Sequence, residues 1–589
     1  MPEKPSIHQG RLYKERLISL REEMQRDDLD GYILPRTDEF QGEFLAEYAE
    51  RLAWITGFTG SAGMLGVLHD DAVVMSDGRY TTQLSAQVNA ELYMTADMIQ
   101  EPIGQWLAAH AEQGARIGYD LWLFTPQQLE KVKEHTDVKG IELVGLDYNL
   151  IDSIWQDQPA RPSSTVTLFP DEVAGRRSAE KRGLIAQQII EKDCDFCILT
   201  SGDSICWLLN IRGGDVVHSP LPLSYLFIYK DGSVDWFIDK EKVGQDVLSV
   251  LGQHVQICDF TDIKIMLRAP YEKVWIDPKS TPVWFVQLLE QRGVDIIYED
   301  DPCAYPKAIK TPQEIEAMRK AHILDGVAVT RFLKWAHDNN NKTDIDELSV
   351  ETTLEELRAE NADFIEASFA TIAGFNANGA IIHYRATPES NQNIVGNGLL
   401  LVDSGGQYRW GTTDITRTIA IGIPSNEMKE NYTRVLKGHI AVASAVFPKE
   451  TPGKDIDALA RQALMDVGLN YAHGTGHGVG CYLCVHESAT HISPKEDRPF
   501  AAGMIISNEP GYYKEGEYGI RIENLVLVAE YDATHFCFET LSYAPFDLDL
   551  ICVDMLTMQE KQWLNDYLES IKMNLGSRLS VEERQWLTT

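Results

Sequence analysis

Short apolar runs, bounded by glycine and acidic residues, alternate with amphipathic segments along most of the 589-residue chain. This alternation predicts an α/β protein, because buried strands are short apolar runs and surface helices repeat apolar positions every three to four residues. Two stretches follow one plan: a helix ending in an acidic turn, an apolar strand (32–34 and 197–199), a tryptophan, and an Asp-Gly pair expected to close a hairpin (77–78 and 231–232). The pattern predicts two tandem copies of one α/β unit.

A third region opens with strong helix-start signals. Thr311 is the expected N-cap, Pro312 takes the first helical position, and Glu314 completes a capping box. A second helix is expected at roughly 343–360, and strands separated by Gly-rich loops follow it. This region therefore differs from the two N-terminal units.

The chain is too long for one hydrophobic core. The polar, proline-containing segment 157–167 (DQPARPSSTVT) is typical of a linker. We expect three domains, at 1–160, 161–309 and 310–589, the last with a C-terminal extension at about 537–589.

The extension carries two predicted elements. An apolar run at 548–555 (LDLICVDM) predicts a strand. The segment 557–575 predicts an amphipathic helix, which we expect to pack on the third domain or on a partner subunit.

Two aspartates lie where a buried hairpin is predicted. The apolar run 399–402 ends at Asp403, a turn is expected at Gly405-Gly406, and Asp414 opens a return strand of alternating polar and apolar residues. Burying an unpaired carboxylate costs several kcal/mol or shifts its pKa. Positive charge is therefore expected nearby.

Further acidic residues and histidines follow apolar strands or Gly-rich loops; they are His383, His473, His477, His486, Glu509 and Glu523. Four carboxylates (those of Asp403, Asp414, Glu509 and Glu523) and one neutral imidazole carry a formal charge of −4, which two divalent cations would cancel. Such a set suits manganese, cobalt or zinc, and paired metals are a recognised device for hydrolysis. The spacing of His473 and His477 leaves open which imidazole binds metal.

Composition narrows the classes of partner. The formal net charge is −36, with 89 acidic against 53 basic residues, which argues against nucleic acid and anionic membranes as partners. The first residues lack the apolar core of a signal peptide, and no segment is apolar enough to span a bilayer. The nine cysteines, including the CxxC pairs Cys194/Cys197 and Cys481/Cys484, are expected to be packed free thiols of a cytoplasmic protein.

The order of motifs resembles a known family. Asp403, Asp414 eleven residues on, and the stretches HGTGHGVG, NEPGYY and GIRIEN are similar to the pita-bread metallopeptidases of peptidase family M24, and among them to the three-domain aminopeptidase P (Xaa-Pro aminopeptidase) type. The resemblance implies two creatinase-like α/β domains followed by a pita-bread catalytic domain. It also implies a homodimer that hydrolyses the N-terminal Xaa-Pro bond of peptides with proline in second position.

The resemblance further implies a role for each motif residue. Two divalent metal ions, with Mn²⁺ favoured and Zn²⁺ or Co²⁺ as alternatives, would activate a bridging hydroxide. Their implied ligands are Asp403, Asp414, His477, Glu509 and Glu523. Glu509 would also be the general base, and Arg521 would orient the carboxylates. His383 and His486 would bind the substrate backbone and the tetrahedral intermediate, and His473 would line the proline site.

Two alternatives stay open at this point. A prolidase, which cleaves Xaa-Pro dipeptides, shares the metal site but carries one N-terminal unit rather than two. A non-catalytic peptide-binding protein of this fold would lose metal ligands, whereas this chain has a suitable residue at all five positions.

Overall fold

The computed structural model describes residues 7–588. In it the chain forms two structural units. The first unit comprises the chain up to Leu168 together with Arg177–Cys303, and the second comprises Phe169–Arg176 and the chain from Ala304 onward. Every predicted site residue lies in the second unit. Among the described helices, none has the length and apolar character needed to cross a membrane.

The first unit begins with a six-stranded sheet. Its strands, in chain order, are Gly31–Pro35, Met64–Leu68, Ala72–Ser76, Met94–Asp97, Arg116–Asp120 and Glu142–Leu146. They lie in the spatial order 4-3-2-1-5-6, with strands 1–2 and 2–3 antiparallel and the other neighbours parallel. The helices of this part are Ile7–Arg26, Arg51–Thr56, Thr81–Gln87, Ile103–His110, Pro126–Thr136 and Leu150–Ile154.

A second six-stranded sheet repeats this arrangement. Its strands are Phe196–Leu199, Tyr225–Tyr229, Val234–Phe237, Val255–Cys258, Lys273–Ile276 and Asp295–Tyr298. They again follow the order 4-3-2-1-5-6 with the same two antiparallel and three parallel pairings. The accompanying helices are Ser178–Glu191, Gly202–Leu209, Gln245–Leu251, Ile263–Met266 and Val283–Glu290. The predicted duplication of one α/β unit is confirmed.

One detail of the predicted repeat is wrong. The 231–232 pair lies in the turn of the second hairpin, as expected. The 77–78 pair instead follows the strand Ala72–Ser76 and leads into the helix Thr81–Gln87, and the first hairpin turns at 69–71. Asp-Gly is compatible with several kinds of turn, so the dipeptide alone does not identify which strand it follows.

The second unit mixes long helices with antiparallel sheets. Its helices are Asp171–Ala174, Ala304–Ala308, Pro312–Asp338, Glu347–Ala359, Asn426–Ala443, Gly453–Met465, Met558–Leu575 and Val581–Trp586. Its strands are Phe364–Ala367, Ile372–Phe375, Gly398–Ser404, Gly406–Tyr408, Gly411–Thr412, Ile415–Ile421, Val446–Pro448, Gly476–Gly478, Glu487–Ile492, Ile505–Asn508, Gly511–Lys514, Tyr518–Arg521, Asn524–Glu530 and His535–Thr540.

The helix Pro312–Asp338 begins as the sequence predicts. Thr311 Oγ1 accepts a hydrogen bond from Glu314 N at 3.2 Å, and Glu314 Oε2 accepts one from Thr311 N at 2.9 Å. The capping box therefore satisfies two backbone donors that a helix start otherwise leaves unpaired. The following helix begins at Glu347, later than predicted, because Asp346 caps it through Ser349 N.

The aspartate hairpin is longer than the sequence indicates. Gly405-Gly406 does not form its turn, because the chain continues extended into Gly406–Tyr408 and reverses only at 409–410. At Gly405 a β-carbon would lie 2.0 Å from the Thr413 carbonyl oxygen. This glycine therefore permits a close approach of two backbone segments rather than a reversal.

The C-terminal extension contains a helix but lacks the predicted strand. Two single 3₁₀ turns, Leu548–Leu550 and Val553–Met555, occupy the apolar run. Asp547 Oδ1 accepts a hydrogen bond from Asp549 N at 3.0 Å, and such local side-chain bonds compete with strand pairing. The helix Met558–Leu575 is confirmed, and its buried residues join the same apolar core as helix Asn426–Ala443.

Candidate metal centre

The two aspartates of the hairpin come together on adjacent strands. Asp403 lies near the end of Gly398–Ser404 and faces Thr416 across the ladder, while Asp414 directly precedes the return strand Ile415–Ile421. Asp403 is 8% exposed and Asp414 is 4% exposed. Asp414 lies two residues before Thr416 on the return chain, and its charge adds to the effect of burial in raising the pKa of Asp403, so the hairpin buries the two carboxylates near each other.

Glu509 and Glu523 are brought together by a second ladder. Asn508 pairs with Asn524 at the end of that ladder, and the two glutamates are the next residues beyond the pair. Thr416 Oγ1 donates a hydrogen bond to Glu523 Oε2 at 2.8 Å. This bond joins the glutamate ladder to the aspartate hairpin.

His477 completes the cluster from the short strand Gly476–Gly478. Its Nε2 lies 3.5 Å from Asp414 Oδ2 and 3.4 Å from Glu509 Oε1. Its Nδ1 lies 2.9 Å from the Gly478 carbonyl oxygen, so Nδ1 carries the proton and Nε2 faces the carboxylates. At Gly476 a β-carbon would lie 1.9 Å from the Ser507 carbonyl oxygen, so only glycine lets this strand approach so closely.

Burial and mutual repulsion dominate the electrostatics of the cluster. Burial raises the pKa of Asp403, although the Arg521 guanidinium opposes this effect. Burial, together with the Asp414 and Glu509 carboxylates, raises the pKa of Glu523 well above its ordinary range. Burial disfavours the charged form of His477, but the Asp414 and Glu509 carboxylates outweigh it and raise its pKa to about 9. The protein alone therefore supplies too little positive charge for these carboxylates.

The donor set fits divalent metal ions. One ligand atom each from Asp414, His477 and Glu523 lies within 4.8 Å of the others. Asp403 Oδ1, Asp414 Oδ1 and Glu523 Oε1 are buried and have no hydrogen-bond partner within residues 7–588. Buried carboxylate oxygens without partners are rare unless an ion or water satisfies them. Oxygen-rich sites with one imidazole are typical of manganese, cobalt and zinc.

Arg521 connects the cluster to a tyrosine that the sequence analysis missed. Its Nη2 donates to Asp403 Oδ2 at 2.7 Å, and its Nη1 donates to the Tyr513 hydroxyl at 2.6 Å. The same hydroxyl lies 2.9 Å from Nε2 of His473. Tyr513 and Arg521 lie on paired strands, Gly511–Lys514 and Tyr518–Arg521. The position of Tyr513 could have indicated its role, because it lies four residues after Glu509 and in the hairpin that leads to Glu523.

A buried ion pair fixes the glycine-rich histidine loop, and it too was missed. Arg461 holds Asp457 through Nε and Nη2 at 2.7 and 3.0 Å. The same guanidinium donates from Nη2 to the His473 carbonyl oxygen at 2.7 Å, and Thr475 Oγ1 donates to Asp457 Oδ1 at 2.6 Å. The i,i+4 spacing of an acid and an arginine on one helix is common on solvated faces, so this spacing is not a specific signal.

Two predicted histidines remain, His486 and His383, and their surroundings differ. The His486 ring packs edge-on against the His477 ring, with centroids 4.4 Å apart at 85°. His383 follows Ile382, whose carbonyl oxygen accepts a hydrogen bond from Arg521 Nη2 at 3.3 Å. His486 therefore contacts a residue of the cluster, whereas His383 is adjacent in sequence to a residue that contacts Arg521. The assignment of all five ligands and of the helper histidines stays a prediction.

Comparison with protein families covers nearly the whole chain. Residues 316–530 match the family described as "Metallopeptidase family M24", and residues 534–589 match the "C-terminal region of peptidase_M24". Residues 16–154 and 157–314 match two descriptions of a "Creatinase/Prolidase N-terminal domain". The predicted fold class, two creatinase-like α/β domains and a pita-bread catalytic domain, is confirmed.

Relatives match over nearly all of this chain and most of their own length. "Xaa-Pro aminopeptidase 2" of Sus scrofa is 36% identical over 593 residues, which cover 97% of this chain and 87% of the relative. "Probable Xaa-Pro aminopeptidase P" of Sordaria macrospora is 36% identical over 606 residues, which cover 97% of this chain and 98% of the relative. The chain belongs to the M24 metallopeptidases. Its resemblance to the aminopeptidase P type of that family is also confirmed.

Two solved structures resemble the chain to different extents. The "X-prolyl aminopeptidase from Caenorhabditis elegans: a cytosolic enzyme with a di-nuclear active site" superposes with a TM-score of 0.92 at 30% identity, covering 98% of both chains. The "Prolidase from Pyrococcus horikoshii OT3" has a TM-score of 0.51 at 24% identity and covers 63% of this chain and 99% of its own. At this level of identity, the likeness to the prolidase shows the fold alone.

Proposed function

We propose that this protein is a metal-dependent aminopeptidase that hydrolyses the N-terminal Xaa-Pro bond of peptides and releases the first residue. The observation that carries the proposal is the buried cluster of Asp414, His477 and Glu523, in a chain that matches Xaa-Pro aminopeptidases along its whole length. A prolidase activity has weaker support, because the prolidase structure accounts for 63% of the chain.

The metal centre would hold two divalent ions. We assign as their ligands the five residues of the cluster: Asp403, Asp414, His477, Glu509 and Glu523. Mn²⁺ is the favoured ion because oxygen donors outnumber the single imidazole, with Zn²⁺ and Co²⁺ as alternatives. When bound, the ions supply positive charge that acidifies water and polarises the scissile carbonyl group.

Glu509 is placed to move the proton. Burial raises its pKa to about 7, and Ser507 Oγ donates a hydrogen bond to its Oε1 at 3.0 Å. A group with a pKa near the working pH can both accept and return a proton. The prolyl nitrogen lacks a hydrogen and leaves only when protonated, so Glu509 would take a proton from water and deliver it to that nitrogen.

Three histidines would act on the peptide rather than on the metals. His383 and His486 would donate hydrogen bonds to the substrate backbone and to the negative charge that develops on its carbonyl oxygen. His473 would line the proline site, in an orientation fixed by the Tyr513 hydroxyl at 2.9 Å. Arg521 would orient Asp403, which it holds at 2.7 Å.

The first experiment compares the cleavage of three peptides. Purified, Mn²⁺-loaded protein is incubated with Arg-Pro-Pro and with Gly-Pro, and Arg-Ala-Ala is the matched control without proline. We expect release of arginine from Arg-Pro-Pro and much slower cleavage of the other two. A strong preference for Gly-Pro would make the protein a prolidase, and binding of Arg-Pro-Pro without cleavage would make it a peptide-binding protein.

The cellular and quaternary setting is also a proposal. A cytoplasmic location is supported by the nine cysteines, all of them free thiols, and by the description of the nematode structure as cytosolic.

A homodimer built through the C-terminal extension is supported by exposed apolar side chains there, which are Leu548, Val553, Met558, Met573 and Val581. Domain boundaries near residues 160 and 309 remain part of the proposal. Light scattering after gel filtration tests the dimer.

A further inference from the structure

One buried carboxylate outside the metal centre contacts the loop that carries His383. The loop spans residues 376–397 and connects strand Ile372–Phe375 to strand Gly398–Ser404. Its only helix is the 3₁₀ helix Asn376–Ala380, and no strand forms in its remaining residues, all of which the structure describes. A segment with so little regular structure takes a fixed conformation only through contacts with the rest of the fold.

Glu347 supplies such contacts from the start of helix Glu347–Ala359, where its side chain is fully buried. Its Oε1 accepts hydrogen bonds from Phe375 N at 2.7 Å and from Asn378 Nδ2 at 3.0 Å. Its Oε2 accepts hydrogen bonds from the Tyr384 hydroxyl at 2.8 Å and from Gln392 N at 3.0 Å. One carboxylate therefore binds the loop at its start, in its middle and near its end.

These donors require an acceptor at both carboxylate oxygens. Burial raises the pKa of Glu347, and the hydrogen bonds from Phe375 N and the Asn378 side chain oppose this shift. A glutamine would keep one acceptor oxygen, but its amide nitrogen accepts no hydrogen bond. Either Phe375 N or Gln392 N would then lose its partner, which is costly at a buried position. The loop is thus built around a carboxylate and not around a neutral amide.

His383 lies between two residues that are held in place. On one side, the Ile382 carbonyl oxygen accepts a hydrogen bond from Arg521 Nη2 at 3.3 Å, and this guanidinium also holds an aspartate of the metal centre. On the other side, the Tyr384 side chain is buried and donates its hydroxyl hydrogen bond to Glu347. The backbone at His383 is therefore fixed to the metal centre through Arg521 and to a helix through Glu347.

We propose that Glu347 is a positioning residue for catalysis, which fixes the loop so that His383 reaches the substrate backbone. The inference rests on the proposed peptidase function, in which His383 donates a hydrogen bond to the peptide. A displacement of about 1 Å at a catalytic group can cost about a hundredfold in rate. Loss of the Glu347 carboxylate should therefore lower the rate, while the five assigned metal ligands, which lie outside the loop, stay in place.

A double-mutant cycle separates positioning from general stabilisation of the fold. The wild type, Glu347→Gln, His383→Ala and the double variant are loaded with Mn²⁺ at full length, and kcat/KM for Arg-Pro-Pro and metal content are measured for each. Glu347→Gln should lower kcat/KM at least about tenfold with the metal content of the wild type. In the His383→Ala background the same change should cost less than about twofold, because the side chain that it positions is already absent.

The cycle also distinguishes failure of this inference from failure of the proposed function. A wild-type protein that does not cleave Arg-Pro-Pro would refute the proposed function and this inference with it. An active wild type that loses the same factor from Glu347→Gln in both backgrounds would refute the inference alone, because Glu347 would then act independently of His383. Wild-type activity of Glu347→Gln, or loss of its metal ions, would also overturn the inference.

Two further variants keep the test decisive. Glu314→Gln removes a buried carboxylate at another helix start, but glutamine also completes a capping box, so this matched control should stay within about twofold of the wild type. If Glu347→Gln does not fold, Tyr384→Phe replaces it in the cycle, because this variant removes only the hydroxyl that joins the loop to Glu347. Tyr384→Phe should lower kcat/KM at least about fivefold in the wild-type background and less than about twofold in His383→Ala. Equal losses in the two backgrounds would refute the inference.

Discussion

His477 Nε2 lies 3.5 Å from Asp414 Oδ2, so an imidazole from a glycine-rich strand faces a carboxylate at the start of a β-strand. The Nδ1 atom of the same ring donates to the Gly478 carbonyl oxygen at 2.9 Å, which directs Nε2 toward the carboxylates. This geometry distinguishes His477 from His473, whose Nε2 faces the Tyr513 hydroxyl instead. The sequence spacing left the two histidines equivalent.

Alanine variants should separate the metal ligand from the helper histidines. His477→Ala removes a metal donor, so metal content and turnover should fall together. His383→Ala, His473→Ala and His486→Ala should keep both metal ions and lose turnover about a hundredfold, because each removes a donor to the substrate or transition state. Metal analysis and kcat for the four proteins check this. A His473→Ala protein without metal, or a fully active His477→Ala protein, would reverse the assignment.

Removing the Tyr513 hydroxyl should lower the rate without removing metal. This hydroxyl lies between Arg521 Nη1 and His473 Nε2, at 2.6 and 2.9 Å. A hydrogen bond to a charged group contributes about 1.5–3 kcal/mol, so Tyr513→Phe should reduce kcat/KM by roughly tenfold to a hundredfold. Tyr512→Phe, at the neighbouring position of the same strand, is the matched control and should stay near wild type. Equal activities for the two variants would show that the hydroxyl has no positioning role.

Glu487 should be far more important for stability than an exposed glutamate. It is 2% exposed and pairs with two buried lysines, with Lys307 Nζ at 3.1 Å from its Oε1 and Lys310 Nζ on its Oε2. Glu487→Gln removes the buried negative charge that two buried ammonium groups share, which should lower the free energy of unfolding by about 3–5 kcal/mol. Glu539→Gln breaks the half-exposed pair with Arg319 and should cost less than about 1 kcal/mol. Denaturant titrations that give similar values for both variants would contradict this prediction.

The buried His439 should make the fold acid-sensitive. Burial, assisted by Arg417, lowers the pKa of His439 from 6.5 to about 3, and its ring bonds Asn508 and Asn524. Below pH 6.5 the unfolded chain binds a proton that the folded histidine refuses, so stability is full above that pH and falls down to about pH 3. The slope is about 1.4 kcal/mol per pH unit.

A variant isolates this contribution from the other titrating groups. His439→Gln should remove the histidine-linked slope between pH 6.5 and about 3, even if the variant is less stable at neutral pH. The free energy of unfolding is measured against pH for both proteins. Parallel curves would show that His439 does not titrate in the way proposed.

Local signals identified most of the fold. The capping box at Thr311 and the tandem order of strands can each be predicted from short stretches of sequence, and both predictions are confirmed. The apolar run 548–555 failed as a predictor, because the Asp547 side chain bonds the backbone and favours a 3₁₀ turn. The turn after Asp403 failed because Gly405 permits close packing rather than chain reversal.

Some residues of the candidate site could be predicted from the sequence, and others could not. Asp403, Asp414, Glu509 and Glu523 are recognisable because each follows or opens an apolar strand, where a carboxylate is unexpected. Tyr513 contacts His473, and Arg461 contacts the backbone of His473, and both contacts depend on the folded chain. The residues around Tyr513 and Arg461 in the sequence look like those around ordinary surface residues. Such residues can be identified only from the three-dimensional structure.

Metal titration of the stripped protein tests the central claim most directly. The protein is freed of metal with a chelator, Mn²⁺ is added in steps, and free arginine released from Arg-Pro-Pro is measured at each step. Because the carboxylates of Asp403, Asp414, Glu509 and Glu523 and the His477 imidazole are the assigned ligands of two ions, activity should be absent without metal and should reach its plateau at two ions per chain. Full activity in the stripped protein, or bound Mn²⁺ without any release of arginine, would contradict the account.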